Sequence, residues 1–346
     1  MQSTRIVTPR ITQHVLLGGQ ADKPALLFIH GNASSSIFWK RIIAALEDDY
    51  FCIAPDLRGY GGTDDLTIDA TRGFGDFVDD LLALLTQLGV DRCHVVGHSL
   101  GGGVIWSLLA AAPARFYSAT LVNPASPFGF GGTKDVDGNP CFADFAGSGG
   151  GIVNPNFAQK IAEGDRSSDD PQASPRVVMN AFYWKPPFEP DWMEELLDGL
   201  LTEKIGPERY PGDFEASANY PFVAPGKWGP INASSPKYLG TTVADFIQRS
   251  VAVPIWWVRG DADLIVSDQS FFDFGTLGKL GYIPNYPGED VYPPQPMVSQ
   301  TRAVLEQRAA LGGEYTETVM TDCGHSPFIE QEAEFLQQFR QFLKGR

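Results

Sequence analysis

The sequence predicts an α/β fold, a mostly parallel sheet with helices on both faces. Short apolar runs alternate with amphipathic segments through the first third of the 346 residues. The rhythm breaks at about residue 124, in a stretch rich in glycine, proline and aromatics, and resumes at about residue 251. The expected organisation is a core of 1–123 and 251–346, an insertion over 124–250, and a second irregular stretch, 271–296, inside the returning core.

In chain order, the N-terminal MQSTRIVTPRITQHVLLGG reads as short strands. ALLFIH (25–30) is a strand, followed by a loop and a helix through Ile42, Ile43 and Leu46. YFCIAPD (50–56) is the next strand and runs into the turn-rich LRGYGGTDD. Phe77, Leu81, Leu84, Leu85 and Leu88 recur at helical spacing over 76–88. CHVVG (93–97) is a buried strand, 100–112 a helix stopped by Pro113, and SATLVN (118–123) a further strand. Inside the insertion, DWMEELLDGLL (191–201) has a helical pattern. PIWWVRG (254–260), a helix over 300–311, YTETVM (315–320) and an amphipathic helix over 328–343 complete the core.

Composition narrows the partners. Acidic residues outnumber basic ones by 42 to 26, a formal charge of −16, which repels nucleic acid and anionic membranes. No apolar run approaches the roughly 20 residues of a membrane span. The N-terminus lacks a long apolar region followed by a small-residue cleavage site, so the expected location is cytoplasmic, with a secreted form that has lost its signal left open. Cys52, Cys93, Cys141 and Cys323 lack CxxC spacing, which gives zinc or dithiol chemistry no support. No metal or organic cofactor is expected; monomer and homodimer are both open.

The motif that carries chemistry is VVGHSLGGG, where Gly97-His98-Ser99-Leu100-Gly101 fits G-x-S-x-G between an apolar strand and a small-residue helix. The glycines let strand and helix approach closely around a strained serine. A phosphate-cradling turn is the competing reading, but no Lys-Ser/Thr follows and the spacing is not G-x-G-x-x-G. Ser99 is therefore the candidate nucleophile.

With that elbow, with HGNASS (30–35) after the first long strand, and with DLRGYGGTD (56–64) after the next, the chain resembles the α/β-hydrolase family over nearly all its length apart from the two insertions. The resemblance implies that family's fold: a mostly parallel eight-stranded sheet flanked by helices, with 124–250 as a cap over the site. It implies a histidine in the loop after the last strand, which is His325 in TDCGHSPF, and an acid in G-x-x-D after strand IWWV, which is Asp263 in RGDADLIV. Asp261 competes for the acid role. The strand before ends in LVNPAS, where Asn123 offers no carboxylate. Serine, acid, histidine is also the family's chain order. The other histidines, His14, His30, His94 and His98, are read as structural. The family's oxyanion hole maps onto the backbone N–H groups of Leu100 and Asn32.

HGN also resembles the haloalkane dehalogenases, which, like the epoxide hydrolases, carry aspartate at the elbow; Ser99 disfavours both chemistries here. HGGPG of the proline iminopeptidases is absent. Cap aromatics, Trp184 and Phe128 among them, are candidates for a substrate pocket. The function expected is hydrolysis of a carboxylic ester or lactone of an apolar substrate through an acyl-enzyme. The alternatives are carbon–carbon hydrolysis of a diketone-like substrate with the same triad, and a ligand-binding receptor of slow turnover, suggested by the two long insertions.

Overall fold

A computed structural model describes residues 1–240 and 242–346. Eight strands form one sheet: β1 (Gln2–Val7), β2 (Thr12–Gly18), β3 (Ala25–Ile29), β4 (Phe51–Pro55), β5 (Cys93–His98), β6 (Phe116–Val122), β7 (Ile255–Gly260) and β8 (Tyr315–Met320). Their spatial order is β1-β2-β4-β3-β5-β6-β7-β8. β2 is antiparallel to β1 and β4, and the other neighbours are parallel. The expected mostly parallel eight-stranded architecture is what the chain adopts.

Alternation along each strand divides the core in two. Leu27 and Ile29 of β3 face one layer, with α2 (Gly75–Gln87), α3 (Leu100–Ala111) and α8 (Met297–Ala310). Leu26 and Phe28 face the other, with α1 (Lys40–Leu46) and α9 (Glu332–Leu343). Apolar residues of α4 (Pro155–Ala162), α5 (Pro175–Phe182) and α6 (Met193–Leu200), all inside the insertion, join this second layer through Phe38 and Trp39. Both sheet faces are thus covered, which is why the inner parallel strands read as largely apolar runs, while the edge strand β8 (YTETVM) is partly exposed.

Two elements depart from the expected pattern. The last helix is broken at Gln331, which leaves helical geometry (φ −127°, ψ 51°) between a single turn, Pro327–Glu330, and α9. The expected insertion, 124–250, contains α7 (Thr242–Arg249), which packs on α3 through an edge-to-face contact of Phe246 with Trp106 (4.8 Å).

The 271–296 stretch lies against the 124–250 segment. Phe272 meets Phe182 edge-to-face, Tyr292 meets Tyr220, and Gln295 hydrogen-bonds Gly129 and Gly131. Asp273 is fully buried there, and burial pushes its carboxyl up to about 6 against the N–H bonds it accepts from Gln295 and Thr276. Among the described residues, no helix is long and apolar enough to cross a membrane, and no group of three or more His, Cys, Asp or Glu could hold a metal ion.

Candidate active site

The carboxyl ends of β3, β5, β6, β7 and β8 converge where the strand order reverses between β3 and β5, the place where open α/β sheets bind ligands. Ser99 follows β5 directly, at φ 55° and ψ −118°. Its N–H donates to Val122 O (3.0 Å), and its carbonyl accepts from Gly103 N (3.1 Å) and Ala125 N (2.9 Å). These bonds hold a backbone conformation that costs a non-glycine residue on the order of 1–3 kcal/mol. Side chains at Gly97 or Gly101 would collide with the Gly101 and Ile29 carbonyls respectively, so the tight strand-to-helix turn excludes a Cβ at either position.

His325 lies in the loop between β8 and the Pro327–Glu330 turn. Its Nδ1 is 2.7 Å from Asp263 Oδ2, and both side chains are buried. The same oxygen accepts from Asn123 Nδ2 (2.5 Å), while Oδ1 accepts from Ile265 N (2.7 Å) and Val266 N (3.0 Å). Four donors around one carboxylate compensate its burial. An ionised Asp263 only accepts, so Nδ1 carries the imidazole hydrogen and Nε2 is the basic nitrogen. Asp261 is exposed, and its carboxylate accepts Asp322 N (2.8 Å), which ties the acid loop to the histidine loop.

His98 Nε2 donates to His325 O (2.8 Å), and the two rings are 4.6 Å apart. Burial above all, then the neighbouring His325, pulls the His98 pKa far down, so it is a neutral strut. Glu330 Oε2 accepts from Gly324 N (2.7 Å), beside His325, and from Lys185 N (3.1 Å) in the 124–250 segment. The break at Gln331 leaves this turn free to stay with the histidine loop while α9 packs on the sheet. Ser99 Oγ and His325 Nε2 carry no hydrogen bond among the described residues. Such contacts are often long in unliganded enzymes and tighten with substrate.

The loop after β3 packs on the serine: a Cβ on Gly31 would lie 3.1 Å from Ser99 Cβ. Leu57 N donates to His30 Nε2 (2.9 Å), so His30 Nδ1 bears the hydrogen and donates to Gly31 O (2.7 Å), which also accepts from Ser34 Oγ (2.8 Å). With that carbonyl tied back, the trans peptide points the Asn32 N–H the opposite way. Neither it nor the Leu100 N–H meets a protein acceptor among the described residues. The Asn32 side chain turns away instead: its Oδ1 accepts from the Tyr60 hydroxyl (2.8 Å), and Tyr183 O–H donates to Ala33 O (2.9 Å).

Asp56 explains the DLRGYGG signature. Its carboxylate accepts from Ser36 N (2.7 Å), Gly62 N (2.8 Å) and His14 Nδ1 (2.7 Å). Burial alone would raise its pKa, but His14, His30 and the two N–H groups outweigh it and bring it down to about 2. Arg58 in turn grips Asp80 of α2 with two nitrogens (2.8 and 2.9 Å).

Of the pocket candidates, Trp184 is 1% exposed, with its indole N–H donating to Asn180 Oδ1 (3.2 Å), and its backbone packs on Gly324. Phe128 is half-buried against Gly138. No aromatic contact joins either ring to His325. Sequence reasoning missed two neighbours: Asn123, on which only the missing carboxylate was noticed, and Tyr60, inside a recognised motif; Tyr183 is one of the cap aromatics, with no bond to Ala33 foreseen for it.

Residues 24–159 match a family model described as the alpha/beta hydrolase fold. AB hydrolase superfamily protein YfhM of Bacillus subtilis is 35% identical over 127 residues, 35% of this chain and 42% of that protein. Epoxide hydrolase 2 of Siraitia grosvenorii is 36% identical over 116 residues, 33% of this chain and 36% of its own. The aligned segments thus span less than half the length of these curated relatives. The solved structure of esterase RhEst1 from Rhodococcus sp. ECU1013 superposes with a TM-score of 0.59 at 18% identity, covering 100% of this chain and 99% of that one. By the sheet order, the strand-to-helix elbow and these likenesses together, the chain has the α/β-hydrolase fold, and over residues 24–159 it is similar to that family.

Proposed function

We propose that the protein is a serine hydrolase that cleaves a carboxylic ester or lactone of an apolar substrate through an acyl-enzyme on Ser99. The observation that carries this reading is the buried Asp263–His325 pair at 2.7 Å, set at the strand ends beside a serine held at positive φ. Ser99 Oγ attacks the carbonyl carbon and His325 Nε2 takes its proton. Asp263 stabilises the imidazolium and keeps its proton on Nδ1. The carbonyl π electrons move onto oxygen, which the Asn32 and Leu100 N–H groups meet.

Collapse of the tetrahedral adduct breaks the bond to the alkoxy oxygen, and His325 returns the proton to that leaving group. Water then repeats the sequence on the acyl-serine and frees the acid. Serine, and not aspartate, at the elbow supports this route over epoxide opening, which the name of one relative suggests.

A fluorophosphonate probe tests it. A single adduct on Ser99, lost in Ser99→Ala, is expected by intact mass and peptide mapping; folded protein that stays unlabelled would sink the acyl-enzyme. A panel of activated esters against β-diketones then separates ester from carbon–carbon cleavage, and faster diketone turnover would overturn the ester assignment.

A further inference from the structure

Glu203 is a buried acid that the mechanism above leaves without a task. It follows α6, is 4% exposed, and among the described residues neither carboxyl oxygen has a hydrogen-bond partner. The segment is stitched to the active-site loops: Glu203 N donates to Leu200 O (3.2 Å), and Lys204 N donates to Gly59 O (2.9 Å), next to Tyr60.

Each element packed around the carboxyl contributes a polar group. Tyr60 comes from the loop after β4, Tyr183 from the end of α5, Tyr210 from the short strand Tyr210–Pro211, and the Ala33 N–H from the oxyanion loop. All three tyrosines are buried, and burial holds their hydroxyls neutral by pushing their pKa values far up. Among the described residues no cationic side chain bears on Glu203. An unpaired charge there would cost several kcal/mol, and a buried group in that position neutralises instead.

Two of the three hydroxyls beside Glu203 are already committed. Tyr60 has one hydrogen, and it goes to Asn32 Oδ1; the hydrogen of Tyr183 goes to Ala33 O. A carboxylate only accepts, and charge-assisted hydrogen bonds are roughly twice as strong as neutral ones. An ionised Glu203 therefore gains the Tyr60 hydrogen only by taking it from Asn32, and it draws the Ala33 N–H towards itself.

We propose that Glu203 is a positioning residue of the oxyanion loop, keeping Asn32 and Ala33 in register while it is a neutral acid and withdrawing them when it ionises. The inference rests on the reading of Asn32 N–H as an oxyanion donor. Burial raises the Glu203 pKa well above the carboxylate range, so the loop is in register below that raised value and leaves it as pH rises through it. The stability contributed by the neutral form is complete below the ordinary carboxylate pKa and is lost as pH rises from there through the raised value.

The test is kcat/KM on an activated p-nitrophenyl ester from about pH 6 to about pH 10, for wild type and Glu203→Gln, with Ser99→Ala as blank. Amide NMR shifts of Asn32 and Ala33 are followed over the same range. Loss of an oxyanion donor costs about 10²–10³ in rate, so wild type should fall at least tenfold along a limb of rising pH. Glu203→Gln, which cannot ionise, should match wild type below that limb and lack it. In wild type alone, both amides should shift with the midpoint of that limb. Amides that stay still in wild type, or an identical limb in the Gln variant, would overturn the proposal. If Ser99 also resists the fluorophosphonate, the hydrolase reading falls separately, and the amide shifts still decide what Glu203 does to the loop.

Discussion

The strand ends of the core and the 124–250 segment solve the same problem differently. In the core, backbone geometry places the candidate chemistry: Ser99, Asn123 and Asp322 all take positive φ (55°, 40° and 60°) after the ends of β5, β6 and β8. In the insertion there is little ladder, and buried side-chain amides replace it. Asn232 accepts from Gly150 N and Gly226 N (both 3.0 Å) and donates to Asp213 O (2.7 Å) and Trp228 O (2.6 Å). Gln300 of α8 accepts from Ser126 Oγ (2.6 Å) and donates to Thr133 Oγ1 (2.9 Å) and Asp135 O (2.8 Å). A ladder is a collective property of a run of residues, whereas an amide hub is one residue, so damage should spread differently in the two regions.

The sharpest way to expose that difference is to delete chemistry from the core without disturbing its backbone. Ser99→Ala should lower kcat by roughly 10⁶ while the melting temperature stays close to that of wild type; a large drop in melting temperature would show that the serine side chain holds the elbow. Asn232→Ala should do the reverse. It strands two buried N–H groups and two carbonyls, at roughly 3 kcal/mol, and hydrogen exchange should accelerate across 147–232 while β3 and β5 keep their protection. Uniform acceleration would mean that insertion and core unfold as one unit.

Asp273 refines the contrast through pH. Its pKa in the fold is about 6, against an ordinary 3.8, so its contribution is complete below about pH 4 and lost as pH rises through about 6. At pH 8 wild type should have lost about 2 kcal/mol relative to pH 4 from this group, and Asp273→Asn should remove that slope in urea titrations at the two pH values. An unchanged slope would assign it to other groups. The smallest effect is expected at Asn123→Ala, which removes one of four donors to Asp263: about tenfold in kcat/KM, or about 1.4 kcal/mol. No change would mean that the Ile265 and Val266 N–H groups suffice.

The same contrast governs what could be read from sequence. β3 to β7 are legible because burial on both faces writes a strand as a largely apolar run, and Ser99 because a glycine-flanked serine between strand and helix is a pattern of neighbours in sequence. Asp261 and Asp263 are indistinguishable by composition. The G-x-x-D spacing of the resemblance favours Asp263, and in space one reaches His325 and the other Asp322 N. Nothing in the order of residues announces Glu203 beside Tyr60, Tyr183 and Tyr210, because that cluster is assembled from four non-repeating segments. The break at Gln331 escaped notice since the apolar spacing of 328–343 runs straight through it.

Glu330 joins the two regions through a single oxygen, shared by an N–H of the histidine loop and an N–H at Lys185. In mechanical terms this is an interlock. The segment at Lys185 and the loop that carries the candidate base hang from one peg, so moving the one slackens the support of the other. On the proposed function, access and readiness would then not be independent settings: a substrate that held the Lys185 segment down would also complete the alignment that its own cleavage requires.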